Sequence, residues 1–114
     1  MVVQLKRVYE TPSKSDGTRI LVDRLWPRGL TKEKAHVDLW LKEVAPSNDL
    51  RKWFAHDPAK WSEFKARYKA ELKNNAGQLA LLKQAITRGP ATLLYGAKDS
   101  EHNEAVVLQD VLGR

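Results

Sequence analysis

Arg19–Leu30 reads RILVDRLWPRGL, and this stretch decides the fold. Ile20-Leu21-Val22 is a short continuous apolar run, the pattern of a strand covered on both faces, as in parallel sheets. Asp23-Arg24 ends the run, and Pro27 and Gly29 turn the chain within the next few residues. Arg24, Arg28, a carboxylate and Trp26 therefore stand at the carboxyl end of a buried strand. Open α/β sheets put their ligands there. Each residue also has a plainer reading, with Asp23 and Arg24 as a structural ion pair and Trp26 as core. The cluster as a whole argues for more, because a packing turn does not need so many fork-shaped donors.

Working outward, a second run of the same kind is Ala91–Gly96, ATLLYG, followed by Lys98, Asp99, His102 and Asn103. At the other end, Val2–Val8 alternates Val3 and Leu5 with Gln4 and Lys6, which predicts a first strand with one polar face. Thr11–Gly17 is a loop by its Pro, Ser, Asp and Gly content. At this length it could close an antiparallel pair. Thr31 caps a predicted helix with Ala35, Leu39, Trp40 and Val44 inward, stopped by Pro46. Ser47 or Asn48 caps a short helix that buries Leu50, Trp53 and Phe54. Asp57-Pro58 is an N-cap followed by Pro at the first helical position. Trp61, Phe64, Tyr68 and Leu72 then recur at spacings of three and four, an apolar stripe predicted to be core rather than a base-stacking surface. Asn74-Asn75 interrupts the run. Leu79, Leu82 and Ile86 mark another helix, which Gly89-Pro90 ends. Asp99 or Ser100 is expected to cap a last helix with Ala105, Leu108 and Leu112 inward. The order β, β, four helices, β, α predicts a single compact α/β domain over residues 1–114, with a sheet of about three strands flanked by helices in Rossmann-like layering.

Composition narrows the function classes. The 114 residues make one domain and one core. No apolar run approaches the 18 or so residues of a membrane span, and no leader with a cleavage site is expected. The absence of cysteine excludes disulfides, thiol nucleophiles and thiolate metal sites, and fits a cytoplasmic protein. A formal charge of +6 raises the odds of an anionic partner, whether small molecule or nucleic acid. The histidines lack the spacing of a zinc site, so no metal is expected. Dinucleotide, P-loop and serine-hydrolase motifs are missing as well, and no cofactor is identified.

Four segments carry a family resemblance: RVYE at Arg7–Glu10, LVDRLWPRG at Leu21–Gly29, LRKWFAHDPAKWSEF at Leu50–Phe64 and LLYGAKDSEHNEAVVL at Leu93–Leu108. With them the chain resembles the small YeaO-like proteins, a domain family of unknown function, over nearly its whole length. The resemblance implies parallel strands at the amino end, since longer relatives look like a strand–helix–strand unit there. It also implies a D-x-R-x-x-P-R-like turn after one strand and a C-x-E-x(n)-C-H-R-like segment after another. Here both cysteines of that second segment are absent, and Asn103 stands where an arginine is expected.

If the two buried strands are parallel neighbours, both charged loops open on one edge of the sheet. His102 would then fall in the first turn of the last helix, where free N–H groups and the helix dipole favour an anion. Arg24, Arg28, Lys98, Asn103 and Trp26 form the expected ligand-binding set, with Asp23 orienting a guanidinium. His102 and Asp23 are the candidate acid–base pair. His102 alternatively has no role, and His56 alternatively supports a helix cap. The favoured reading is a site for a small phosphorylated or nucleotide-like anion, with catalysis undecided. A nucleic-acid-binding accessory protein, with Trp26 stacking on bases, and a partner-binding module are the alternatives.

Overall fold

In the computed structural model, which describes residues 3–113, the two apolar runs are neighbouring parallel strands. Thr18–Leu21 is β2 and Ala91–Tyr95 is β4, paired with Ile20 opposite Leu93. Val3–Arg7 forms β1, which pairs with the other side of β4; Val2 lies outside the described residues. The sheet has four strands rather than three, in the order β1-β4-β2-β3, and every pairing is parallel. Because β1 and β2 both run parallel to β4, the ten-residue connection between them is a crossover and not a hairpin.

The added strand, β3, is Leu39–Trp40, a pair of residues predicted to be helical. Helix α1, Lys32–Ala35, ends after a single turn, because His36 adopts the left-handed conformation at its C-cap. The chain can then run beside β2, where the N–H of Leu41 donates to the carbonyl of Leu21 at 3.0 Å. Leu39 and Trp40 are among the exposed large apolar residues, as befits a short edge strand.

Alternation along the strands divides the core. Ile20, Val22, Leu93 and Tyr95 face the helices and join the main cluster. Leu21 and Leu94 face the other way and pack with Val8, Ala35, Trp26 and Leu30. Helices α2 (Asn48–Phe54), α3 (Trp61–Lys73), α4 (Ala76–Thr87) and α5 (Glu104–Val111) supply the first cluster. The turn after β2 and α1 supply the second. The predicted stripe on α3 buries Phe64, Tyr68 and Leu72 fully but Trp61 only in part. Ser47 caps α2 through the N–H of Leu50, and Asp57 caps the Pro58–Lys60 turn that leads into α3. The cap of α5 is Asn103, neither Asp99 nor Ser100, so His102 precedes the helix instead of lying in its first turn.

An ionic cluster closes the amino-terminal edge of the sheet. The Asp16 carboxylate accepts from Arg19 Nη1 at 2.6 Å and from Lys6 Nζ at 3.2 Å, and both Asp16 and Arg19 are buried. Burial alone would raise the Asp16 carboxyl. The Ser13 N–H and the two cations outweigh it and hold the carboxyl below its ordinary range. Gly17 makes this edge possible. With φ at +65°, an added Cβ would lie 2.1 Å from the carbonyl oxygen of Pro90.

Candidate functional site

At the opposite, carboxyl edge of the sheet, the ends of β1, β2 and β4 surround a pocket of about 340 Å³. Its construction starts at the turn after β2. The N–H of Val22 donates to the carbonyl of Leu94 at 3.1 Å, extending the ladder by one residue. The chain then leaves the sheet, and Asp23 Oδ2 accepts from the N–H of Gly96 at 2.8 Å. A Cβ at position 96 would stand only 3.0 Å from that oxygen, so glycine there lets the carboxylate sit against the backbone. Arg7 secures the same loop by donating from Nε to the carbonyl of Ala97 at 2.9 Å and from Nη2 to that of Gly96 at 3.3 Å. The indole N–H of Trp26 donates to the carbonyl of Leu30 at 2.7 Å, closing the Pro-Arg-Gly turn. That of Trp40 donates to the carbonyl of Asp23, also at 2.7 Å.

The predicted residues divide by what already holds them. Asp23, Arg24, Trp26, Arg28, His102 and Asn103 line this pocket; Lys98 is exposed and outside its lining. Arg24 is a staple: Nε donates to the carbonyl of Pro46 at 3.0 Å, Nη2 to that of Ala45 at 3.2 Å, and Nη1 faces Glu43 at 3.5 Å. Its guanidinium fixes the lip between β3 and α2. Asn103 is committed to capping. It accepts from the N–H of Val106 at 3.2 Å and donates to the carbonyl of Asp99 at 2.9 Å. Arg28 differs. It is exposed, its carbonyl accepts from the Tyr9 hydroxyl at 2.9 Å, and its guanidinium has no partner among the described residues.

His102 is held on two sides. Its Nδ1 lies 2.8 Å from Asp99 Oδ2, and its ring meets Trp61 edge-on with centroids 5.1 Å apart. The N–H of Glu101 and the imidazole keep the Asp99 carboxyl below its ordinary range. This carboxylate–imidazole pair leaves Nε2 without a protein partner among the described residues, which is how proteins orient a histidine toward a ligand.

Three further residues line the pocket that the sequence did not place there. Arg51, from α2, donates from Nη2 to Asn48 at 3.2 Å, while its Nε is buried with no partner among the described residues. His56 reaches the pocket because Ala55 and His56 both adopt positive φ and swing the chain out of α2. Glu104, the first residue of α5, lines the pocket together with Asp23. Burial, and then the facing Asp23 carboxyl, push Glu104 well above the ordinary carboxylate range. Asp23 therefore meets the N–H of Gly96 and, among the described residues, no guanidinium. An acidic residue just after a cap ordinarily reads as a helix-dipole complement, which hides such a role.

The pocket thus combines carboxyls and aromatic rings with guanidinium and imidazole groups. No cluster of three or more histidines or carboxylates suited to a metal ion occurs among the described residues. Nor is any helix among them long and apolar enough to cross a membrane. No solved structure gives a significant match to the chain. Uncharacterised protein YeaO of Escherichia coli K12 is 45% identical over 112 residues, covering 98% of this chain and 97% of that protein. Uncharacterised proteins of Mycobacterium bovis and Mycobacterium tuberculosis are each 40% identical over 110 residues, covering 96% of this chain and 92% of theirs. A family profile described as the inactive DUF488-N3 subclade matches residues 2–114. The chain belongs to that subclade, a YeaO-like family of unknown function.

Proposed function

We propose that this protein binds a small phosphorylated or nucleotide-like anion in the pocket at the carboxyl ends of its strands, and that it does so without turning it over. The observation that carries the reading is that Arg28, whose guanidinium has no partner among the described residues, and Arg51, whose buried Nε has none among them either, line one concavity with His56 and His102. Buried donors without partners are rare in folded proteins, and an anion supplies the missing acceptor. The volume falls at the lower end of the roughly 300–1,000 Å³ typical of small-molecule sites. Binding without catalysis agrees with the word inactive in the family's description. It agrees too with the absence of cysteine, which removes any thiol step.

The test is a thermal-shift screen with inorganic phosphate, sugar phosphates and nucleoside monophosphates, on the wild type and on Arg28→Ala. A ligand at a hundred times its dissociation constant adds about 2.7 kcal/mol to stability. The expected result is stabilisation by at least one phosphorylated compound, greatly reduced in Arg28→Ala, with little salt dependence. No stabilisation by any phosphorylated compound refutes the reading. Steep weakening with salt, the mark of many phosphate contacts, would favour a nucleic-acid backbone instead.

A further inference from the structure

The hydrogen bond that fixes His102 also decides what its ring can offer a ligand. Asp99 Oδ1 accepts from the N–H of Glu101 at 2.9 Å and from that of His102 at 3.2 Å. Two such donors favour the ionised carboxylate, which has only acceptors to present. Oδ2 lies 2.8 Å from Nδ1, so the hydrogen in that bond belongs to the imidazole. A neutral ring carries a single N–H hydrogen. With it on Nδ1, Nε2 is a bare lone pair on a residue of the pocket lining, and a lone pair repels an anion. Trp61 packs edge-on against the ring, 5.1 Å between centroids, and supports that orientation without adding charge. Nε2 becomes a donor only when the ring gains a second hydrogen, a change that imidazoles undergo near neutral pH. The same lining carries Asp23, Arg24 and Arg28 from the turn after β2, Arg51 and His56 from α2 and its exit, and Glu104 from α5. Arg24 is already bound to the carbonyls of Ala45 and Pro46. Negative charge on Asp23 or Glu104 favours the imidazolium, whereas Arg28, Arg51 and a protonated His56 oppose it. An arriving anion shifts that balance toward the protonated ring.

Resting on the anion-binding reading above, we propose that His102 holds the anion through Nε2, that Asp99 is the positioning residue that sets its tautomer, and that the pocket takes up one proton with each anion wherever the free ring is neutral. By linkage, affinity then falls as pH rises, by at most about tenfold per pH unit for one proton. The tautomer makes a demand that a merely structural bond between Asp99 and His102 would not. Asn at position 99 keeps an acceptor for the two backbone N–H groups but presents an amide N–H to Nδ1. The hydrogen of the neutral ring must then sit on Nε2. The anion meets a donor with no proton drawn from solution.

Calorimetric titration of the full chain with inorganic phosphate, glucose 6-phosphate and adenosine 5′-monophosphate tests this. Run at pH 8 in buffers of different ionisation enthalpy, it counts the protons taken up. A phosphate monoester is already a dianion there, since its second pKa is about 6. The wild type should take up close to one proton per anion, and its affinity should fall about tenfold between about pH 6 and 8. His102→Gln and Asp99→Asn should each take up almost none, and Asp99→Asn should hold its affinity over the same range. His56→Gln and Glu104→Gln remove the other groups on the lining that could bind the proton, and should keep the uptake. His102→Gln leaves the Asp99 turn intact, so it answers the question even if Asp99→Asn does not fold. No uptake by the wild type, an uptake that survives in His102→Gln or in folded Asp99→Asn, or a folded Asp99→Asn that no longer binds overturns the assignment and leaves the anion site standing. Failure of all three phosphates to bind the wild type overturns both.

Discussion

Replacing Glu104 by Gln should make this protein more stable at neutral pH, and the gain should depend on pH in a defined way. Glu104 is partly buried at the start of α5 against Asp23, and Tyr68 lies close enough to sense its charge. The folded protein holds its proton above the ordinary value of 4.5, whereas the unfolded chain releases it near that value. Between the two, the folded state binds one more proton, so wild-type stability falls as pH rises. For one proton the slope is at most about 1.4 kcal/mol per pH unit. Above the folded value the loss is complete and constant. Gln has the same length, carries no proton to lose, and can donate its amide to Asp23. No dipole benefit is forfeited, because a protonated Glu offers the helix terminus no charge. Asp16 and Asp99 act in the opposite sense. Their lowered values give stability present above the ordinary carboxylate pKa and lost as pH falls, but equally in both proteins, so they cancel in the difference. Urea unfolding of both proteins, followed by fluorescence of the four tryptophans, should be run between about pH 4 and 8. The two should match near pH 4 and separate above it, with the variant more stable. Parallel curves, or a variant less stable than wild type at pH 7, would refute the account of a proton held on Glu104.

Two further outcomes test the scaffold. Tyr68 is fully buried and donates its hydroxyl to the carbonyl of Val44 at 2.6 Å, so Tyr68→Phe leaves a buried acceptor unsatisfied and should cost about 1–3 kcal/mol in chemical denaturation; a loss below about 0.3 kcal/mol would show that the bond contributes nothing net. Gly17→Ala combines an unfavourable φ with a Cβ 2.1 Å from Pro90 and should cost about 2–4 kcal/mol, seen as a lowered melting temperature. An unchanged melting temperature would mean that the crossover loop can move away from β4.

Much of this architecture is visible in the sequence where the cause is local. Ile20-Leu21-Val22 and Thr92–Tyr95 announce strands covered on both sides because nearly every residue is apolar. Asp57-Pro58 and Gly89-Pro90 mark boundaries through backbone chemistry that needs no tertiary partner. The features that escaped depend on distant partners. Leu39-Trp40 has a helical spacing and becomes a strand only because the edge of β2 is open beside it. Asn103 displaces Asp99 as cap because the Asp99 carboxylate instead binds the N–H groups of Glu101 and His102 and the His102 ring. The same holds in the site. The turn after β2 could be located from its own residues, but not the staple role of Arg24, which requires the Ala45 and Pro46 carbonyls. Nor could the place of Glu104 beside Asp23 in the pocket lining be read, because it exists only once α5 packs on β1 and β4.

The strand order bears on how the chain acquires its structure during synthesis. Both β1 and β2 hydrogen-bond to β4 and not to each other, with Val3 opposite Ala91 and Thr18 also opposite Ala91. The strand that joins β1 to the β2–β3 pair therefore leaves the ribosome after all three of them and after α1–α4. Until it emerges, β1 and β2 have no central partner, and only the helices and the short β2–β3 pairing can form. Closure of the sheet must wait for β4 and is then a long-range step, the slow kind during which exposed strands invite association. A nascent chain arrested before Ala91 should be a natural client for a chaperone, whereas one extended past α5 should not.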